Sequence, residues 1–468
     1  MQAGSQPKVA PASRRPACAQ EPVSISVVTR VREQNPLPEG AIAVAVGLVI
    51  SGVATYAFLG IAARAFGTSP SGKADLDSLS VLWTAMFAIG NGIMQPLEQE
   101  VARAVSHRRS LDLGPGPVIR RAVFIGVAFS VVVLVLGIVT HTWVIDRWFN
   151  GNAALSAALL IGLFGFCVGH LARGVLSSHR RFGAYARFFS VDGIARVVLA
   201  AALAVVGVKA VGAYGLAFAI TPFIGVGAAM IGQRGLMEDG PEAPWSELTA
   251  KLGWLLLGIG TLSLLVQGGT IAIQMLATDD QTGAAGDFLQ GLTTARIPLF
   301  LFQAVLASLL PKLSRLASQG QLTEFLGSVR RLVVLILGVG VLTTIGAAAF
   351  GPWFISKVFG PGNTLGPRDL ALLAATFILI MATICIDQAL VALNAHSRMA
   401  FGWLVAFTVF VVVTALGSEL FLRVELGLLS ASIVAFVWMC VCLAGRLRHH
   451  AGLHAVDESE ALAEIPFT

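Results

Sequence analysis

The sequence is poor in charge. Only 12% of its 468 residues are Asp, Glu, Lys or Arg, and 56% are hydrophobic, whereas a soluble domain carries about 25% charged residues. A chain of this length with so few charges cannot cover a folded surface in water, which excludes an ordinary soluble enzyme or binding domain. The formal net charge of +6 must then be interpreted by its placement along the chain, and we expect no nucleic-acid partner.

Signatures of catalysis and of metal binding are also missing. The five cysteines form no CxxC pair and no Cys/His cluster with metal-ligand spacing, so we expect neither a disulfide framework nor a metal. The loops contain no HExxH, GxSxG, P-loop or paired catalytic carboxylates, and they are too short to hold a catalytic domain. We therefore predict a protein that is not an enzyme and needs no cofactor.

Long apolar runs dominate what is present. A membrane-spanning helix needs about 20 largely apolar residues. Twelve segments qualify: 40–63, 78–98, 118–141, 153–176, 186–207, 210–232, 250–276, 286–311, 328–350, 367–394, 399–421 and 424–445. The predicted fold class is an all-α polytopic membrane protein of about twelve transmembrane helices.

Three motifs occur twice in the same order. LSSHRRFGAYARFF from Leu176 returns as LNAHSRMAFGWLVAF from Leu393, 217 residues later. PLEQEVARA returns as PKLSRLAS after 215 residues, and TWVIDRWFNG as PWFISKVFGP after 210. Nearly constant offsets indicate an internal duplication. Six helices in each copy give both halves the same orientation, so they should be two six-helix lobes related by a pseudo-two-fold axis along the membrane normal.

The duplication sets the predicted domain boundaries. Residues 1–39 contain six prolines and no apolar core of signal-peptide length, and we predict a disordered cytoplasmic tail there. The lobes are predicted over 40–232 and 250–446. A polar linker over 233–249 joins them, and a second tail covers 447–468.

Lysine and arginine set the predicted orientation. Of the 32 basic residues, 23 fall on the side of the amino terminus, 7 on the opposite side and 2 within spans. The positive-inside rule then predicts a multi-pass protein of the plasma (inner) membrane with both termini in the cytoplasm.

Polar side chains recur on single faces of several predicted helices. These side chains are Asn91, Gln95 and Glu98 in the second helix, Gln267 and Gln274 in the seventh, Arg296 and Gln303 in the eighth, and Asp387 in the tenth. Because ionisable groups are costly in lipid, they are candidates for a transport pathway. We interpret the second and seventh stripes as lining a wetted cavity. The alternative, for the tenth helix above all, is hydrogen bonding between packed helices. Pro96 and Pro298 should bend their helices.

Buried charges need partners. Arg296 cannot shed its charge, so the alternative to a role in transport is a pair with Asp287 or Glu98, or snorkelling to an interface. Asp192 and Arg196, spaced i and i+4, are expected to neutralise each other. The competing possibility is that Asp192 titrates and couples transport to an ion, a role also open to Asp387.

Three further residues have simpler interpretations. Arg64 ends the first helix and is expected either to snorkel outward or to offer charge to a cargo. We expect His170 to be a packed or interfacial histidine, and Arg173 is counted among the basic residues on the side of the amino terminus.

Together these features resemble a known superfamily. The bent second helix ending in PLEQEVARA, the stretch RGVLSSHRRFGAYARFF and the run ARIPLFLFQAVLASLLPKLSRL are similar to the multidrug/oligosaccharidyl-lipid/polysaccharide (MOP) exporters, in particular to flippases of the O-antigen type. The resemblance covers about residues 40–446. It implies two lobes that rock around a central cavity lined by helices 1, 2, 7 and 8.

Two branches of the superfamily fit less well. Drug/cation antiporters often carry an acidic residue in helix 1, and residues 40–63 have none. Lipid II flippases resemble a fourteen-helix version, whereas twelve spans are predicted in this chain. The resemblance therefore favours a flippase for a polyprenyl-(pyro)phosphate-linked oligosaccharide that moves from the inner to the outer leaflet by alternating access, for cell-envelope polysaccharide synthesis.

The favoured hypothesis assigns roles to the polar residues. Arg296, together with Arg64, would meet the pyrophosphate. The sugar-binding set comprises Asn91, Gln95, Glu98, Gln267, Gln274 and Gln303. The expected partners are the lipid-linked oligosaccharide, membrane lipids and other polysaccharide-assembly proteins, with a monomer favoured.

Two alternatives remain open at this point. A proton- or sodium-coupled multidrug exporter would need an unpaired buried carboxylate such as Asp387, Asp192 or Glu98. A non-transporting scaffold for envelope enzymes would need the amide stripes to be packed and dry.

Overall fold

A computed structural model describes residues 40–299, 302, 309, 313, 315–393 and 395–463. All its regular elements are helices, and no strand occurs among those residues. The helices are α1 Ala41–Phe66, α2 Pro70–Ser110, α3 Gly116–Val139, α4 His141–Trp148, α5 Ala153–Ser178, α6 Phe182–Val205, α7 Val211–Met230, α8 Ser246–Thr249, α9 Leu252–Leu276, α10 Ala284–Ala295, α11 Leu322–Phe359, α12 Pro367–Ala392, α13 His396–Leu416 and α14 Leu420–Ala463. A short 3₁₀ turn, Asp279–Gln281, precedes α10.

Eleven helices within the described ranges are long and apolar enough to span a membrane. They correspond to eleven of the twelve predicted segments. The remaining segment, 286–311, includes residues outside the described set. The prediction of an all-α polytopic membrane protein is confirmed.

Helix-packing partners repeat between the halves. In the first half α1 packs on α6, α5 on both α2 and α7, and α6 on α7. In the second half α9 packs on α13, α12 on both α10 and α14, and α13 on α14. Each pair in the first set has its counterpart in the second, as an internal duplication requires.

Several helix ends differ from the predicted boundaries for local reasons. Helix α2 begins at Pro70, eight residues before the predicted start, because Ser69 accepts a hydrogen bond from Gly72 N (3.2 Å) and Pro70 fits the first turn. At the other end of the chain, α14 continues through the predicted tail to Ala463. That tail is rich in Ala, Leu and Glu, which favour helix.

The linker between the halves lies against the first half. Gly116 N donates to the carbonyl of Glu238 (2.9 Å). Arg108, which is only 3% exposed, donates to the carbonyl of Pro241 (2.7 Å) and to Glu247 Oε2 (2.8 Å). A buried guanidinium satisfied by linker groups holds that segment in place.

Candidate functional site

A polar cavity lies within the first half. Its volume is about 460 Å³, and it is lined by side chains from α1, α2, α5, α6 and α7. The polar lining includes Asn91, Gln95, Glu98, His170, Arg173 and Tyr185, and the aromatic lining includes Phe87, Phe166, Phe188 and Phe189. All three polar residues predicted on the second helix face this cavity. It lies toward the end at which α2 and α5 finish, which we call the basic end.

Glu98 connects three helices in the cavity wall. Its Oε2 accepts hydrogen bonds from Arg173 Nη2 (2.7 Å) and lies 2.7 Å from His170 Nδ1. Its Oε1 accepts from the hydroxyl of Tyr185 (3.2 Å). His170 Nε2 lies 3.2 Å from Asn91 Oδ1, so the network joins α2, α5 and α6. A buried carboxylate with this many donors is fixed in one geometry.

An ion pair forms a second part of the cavity wall. Arg196 Nη2 donates to Asp192 Oδ2, as the i, i+4 spacing predicts, and both residues are buried. The guanidinium lies over Trp83 (5.1 Å to the ring centroid) and Phe218 (5.2 Å). Asp192 Oδ1 and Arg196 Nε are buried without a hydrogen-bond partner among the described residues. One acceptor and one donor are therefore left next to each other.

Arg296 lies elsewhere, at a break in a helix. Helix α10 ends at Ala295, Arg296 adopts a turn, and the helix resumes over residues 297–299. The break lies next to Pro298, which has no N–H to donate to the Thr294 carbonyl. Discontinuous membrane helices often carry the substrate site in transporters.

The surroundings of Arg296 are mostly protein. The residue is 8% exposed, and its Nη1 donates to Gln267 Oε1 (2.8 Å). Nη2 donates to the Val266 carbonyl, and the guanidinium lies over Phe377, 5.0 Å from the ring centroid. Neither Asp287 nor Glu98 pairs with it, since Asp287 accepts from Thr364 and Glu98 from Arg173. The structure thus brings Arg296 and Gln267 together but does not place Arg296 in the lining of the cavity that holds Glu98.

The remaining predicted residues are dispersed. Arg64 is exposed and donates to the carbonyls of Lys357 (2.6 Å) and Val358 at the end of α11. Gln274 is half-buried near the end of α9. Asp387 is 7% exposed on α12, and its Oδ1 has no hydrogen-bond partner in the described part of the chain. Gln303 lies outside the described residues.

The two halves are joined by hydrogen bonds at the end opposite the basic end. Asp77 of α2 accepts from Gly283 N (2.6 Å) and Gly286 N (2.7 Å), at the start of α10. The carboxylate therefore caps a helix of the other half, where the helix dipole also favours negative charge. We call this contact the Asp77 latch. Nearby, the Tyr56 hydroxyl donates to the Thr293 carbonyl (2.8 Å).

Sequence reasoning missed the partners of Glu98. The sequence predicted a packed or interfacial histidine at His170, counted Arg173 only among the basic residues of the amino-terminal side, and gave no role to Tyr185. The structure places all three on the Glu98 carboxylate. The spacing of His170 and Arg173, i and i+3 on an otherwise apolar helix, was the available signal.

A second, more basic cavity lies at the basic end. Its volume is about 550 Å³, and it is lined by Arg109, His179, Arg181, Arg234, Gly235 and Glu238. Burial lowers the pKa of His179, an effect that the hydrogen bond to the Val175 carbonyl opposes. With His179 neutral, the cavity is lined by three arginines and one glutamate, and its net charge is positive.

Solved structures with the same architecture are membrane transporters. A MATE protein in a bent conformation matches with a TM-score of 0.62 at 11% identity, covering 91% of this chain and 99% of that one. A multidrug resistance MATE family transporter of the MOP superfamily matches in its inward-facing form with a TM-score of 0.62 and in its outward-facing form with 0.60. Both are 13% identical and cover 87% of this chain, and 99% and 95% of theirs.

The chain has the MATE fold. A MOP superfamily transporter from Pyrococcus furiosus, described as having a binding pocket of reverse polarity, shares that fold with a TM-score of 0.55 at 14% identity. It covers 87% of this chain and 95% of its own. These neighbours confirm the predicted fold, while membership of the MOP superfamily and of its polysaccharide-flippase branch stays a prediction.

Relatives found by sequence similarity match most of the chain, but their names give no activity. Uncharacterised proteins of Mycobacterium tuberculosis and Mycobacterium bovis are 27% identical over 439 residues, 90% of this chain and 94% of theirs. A second uncharacterised protein of Mycobacterium tuberculosis is 24% identical over 425 residues, 88% and 93% of the two chains. No family model matches the chain.

Proposed function

We propose that this protein is an alternating-access transporter that flips a polyprenyl-(pyro)phosphate-linked oligosaccharide across the inner membrane. The sugar enters the cavity of the first half while the lipid tail stays in the bilayer. The observation that carries the proposal is the lining of that cavity. It combines amide and charged side chains with aromatic faces, and Asp192 Oδ1 and Arg196 Nε remain unpartnered. Both atoms are buried in this conformation; a hydroxyl both donates and accepts, so a polyhydroxylated cargo would satisfy both once the cavity opens to them.

The charge of the cavity supports a sugar over a cation. Glu98 is paired with Arg173 and Asp192 with Arg196. The two carboxylates are therefore balanced by two guanidinium groups, and no free negative charge attracts a cationic compound. The positive excess of the second cavity, at the same end, favours an anionic headgroup near the point of entry.

Arg296 is the charge that we assign to the phosphate during transport. In this conformation Gln267 and Phe377 cover it. Opening the Asp77 latch would separate α10 from α2. Because Gln267 and Phe377 belong to the same half as Arg296, phosphate oxygens would then have to compete with the Gln267 hydrogen bond for the guanidinium. A ligand drives such a change only by its differential affinity for the two states.

A multidrug exporter of the same fold is the second candidate. It is supported by the four aromatic rings of the cavity and by the structural likeness to a multidrug resistance MATE family transporter. It would require the cavity ion pairs to separate so that Glu98 or Asp192 could bind a cation or a proton.

Proteoliposomes distinguish the candidates. One arm follows leaflet exchange of a fluorescent lipid-linked oligosaccharide, and the other follows efflux of a cationic dye. Gln95→Leu keeps the side-chain size but removes an amide from the cavity, so sugar flipping should slow while the variant unfolds like the wild type. Gln319→Leu, at an exposed position outside the cavity, is the matched control. Dye efflux without sugar flipping would replace the proposal with the second candidate.

A further inference from the structure

Glu425 is a buried carboxyl outside the site described above. It lies near the start of α14, is 0% exposed, and both carboxyl oxygens lack a hydrogen-bond partner among the described residues. An ionised carboxylate in such a place has lost its water without compensation, which costs several kcal/mol. A carboxyl avoids that cost by holding a proton.

The charged groups around Glu425 strengthen this argument. Asp369 and Glu419 act on it with the same charge and Arg368 with the opposite one. However, Arg368 is already shared between Asp369 Oδ1 (2.8 Å) and Glu419 Oε1 (2.6 Å). On its own helix, Arg423 donates to the Leu276 carbonyl (3.1 Å). Two further carboxylates therefore act on Glu425, Arg368 is shared between them, and Arg423 makes no ion pair with Glu425 among the described residues.

The other helices packed against α14 bring no compensating charge to this level. Helix α9 contains no ionisable residue. The ionisable residues of α13, His396 and Arg398, lie in its first turn, whereas Glu425 lies near the last turn of that helix. Among the described residues, no group of three His, Cys, Asp or Glu side chains has a metal-binding arrangement. A bound proton at Glu425 is therefore favoured by its two unpartnered, buried oxygens.

A stacked ring pair connects Glu425 to the Asp77 latch. Phe421, one turn before Glu425 on α14, stacks on Phe288 of α10 with ring centroids 6.2 Å apart and planes 7° apart. Phe288 is 0% exposed and lies so close to Gly269 of α9 that a Cβ there would come within 2.7 Å of its ring. Helix α10 also supplies the two N–H groups that bind Asp77. A displacement of α10 relative to α14 on opening of the latch would therefore move the ring that stacks on Phe421, one turn from Glu425.

We propose that Glu425 is a proton-binding carboxyl whose proton is released to water when the Asp77 latch opens. Release leaves a carboxylate that water can solvate, and closing the latch requires a proton to return. Each transport cycle would then carry a proton on the second half of the molecule while cargo occupies the first. The inference rests on the proposed alternating-access function, but its test needs no cargo.

Infrared spectroscopy of the purified protein tests the protonation state. The wild type should show a protonated carboxyl band at neutral pH that Glu425→Gln loses. Glu419→Gln, which removes an exposed carboxylate of the same cluster, should keep that band. An unchanged band in Glu425→Gln would overturn the proposal, because the carboxyl would then be ionised in the closed state.

A second comparison tests the coupling to the latch. Titrating the same band in Asp77→Ala should show proton binding at Glu425 weakened by about tenfold or more, because water reaches the carboxyl. Phe288→Leu, which removes the stacked ring but leaves the latch residues in place, should act in the same direction. Equal proton binding in the wild type and both variants would overturn the coupling. Latch-dependent release in a protein that moves no oligosaccharide would support this inference while refuting the proposed cargo.

Discussion

The two halves share the same pattern of helix packing, but the polar residues at one equivalent position differ in type and in hydrogen bonding. In the first half, His170 belongs to a network that holds Glu98, Arg173 and Tyr185. The duplication offset of 217 places Asp387 at the same position of the second half, and Asp387 has an unpartnered buried oxygen there.

The partners of that position are replaced as well. The same offset pairs Arg173 with Leu390 and Tyr185 with Gly402, and the offset of 215 pairs Glu98 with Leu313. The helix packing has therefore been kept, while the polar cluster has no counterpart at these equivalent positions of the second half. A cargo cavity in the first half and a proton-binding carboxyl in the second, which we assign to Glu425, is the arrangement that we expect if the two halves divide binding and ion coupling between them.

The largest effect should follow from breaking the cluster. Glu98→Gln removes the charge that balances Arg173 and presents an amide to groups that already donate. Breaking a buried ion pair in this way costs about 3–5 kcal/mol. We expect a clear loss of thermal stability in detergent, together with loss of sugar flipping. Glu324→Gln, an exposed glutamate of α11, is the control, and equal stability of the two variants would contradict the central role of Glu98.

An intermediate effect should follow from loosening the junction between the halves. Asp77→Ala leaves Gly283 N and Gly286 N without their cap, which costs about 1–2 kcal/mol, or a factor of about 5–30 in the closed-to-open ratio. Spin labels at the exposed positions Ser71 and Asp280 should show a larger population of long label-to-label distances in Asp77→Ala than in the wild type. Asp75→Ala, on the same helix, should leave the distances as they are in the wild type. An unaltered distribution in Asp77→Ala would mean that the latch does not hold the halves together.

A smaller effect, of opposite sign to that of Glu98, should follow at the equivalent position of the second half. Asp387→Asn removes a carboxylate that lacks a partner on one oxygen, so the free energy of unfolding should stay the same or rise by up to about 1 kcal/mol. Chemical denaturation in detergent measures the change. A loss comparable to that of Glu98→Gln would show that the second half holds an equivalent network, against the asymmetry described above.

The smallest effect concerns the surface of the second half. The hydrogen bond from Arg368 lowers the pKa of the exposed Glu419 carboxyl. A lowered pKa means that the contribution to stability is present above the unfolded glutamate value of about 4.3 and is lost as the pH falls through the folded value. The free energy of unfolding of Glu419→Gln should therefore differ slightly from that of the wild type at neutral pH and equal it in acid. A difference that grows on acidification would contradict the assignment.

Most of the fold could be predicted from the sequence, because the lengths of the apolar segments indicate the membrane spans and the repeated motifs indicate the duplication. Only part of the cavity lining could be predicted from the sequence. Helical spacing placed Asn91, Gln95 and Glu98 on one face, but no spacing rule shows which residue of another helix meets that face, and so His170 and Arg173 were missed. The position of Arg296 depends on tertiary packing against Phe377, which the sequence of α10 does not encode locally.

Protection of a cavity cysteine by cargo is the most direct test of the central claim, that the polar cavity of the first half holds the sugar. In a background without the native cysteines, Gln95→Cys should react with a water-soluble thiol reagent and be protected by lipid-linked oligosaccharide. Asp387→Cys, at the position equivalent to His170, should not react in the same state. A Gln95→Cys variant that is inert, or that reacts equally fast with saturating cargo, would contradict the account.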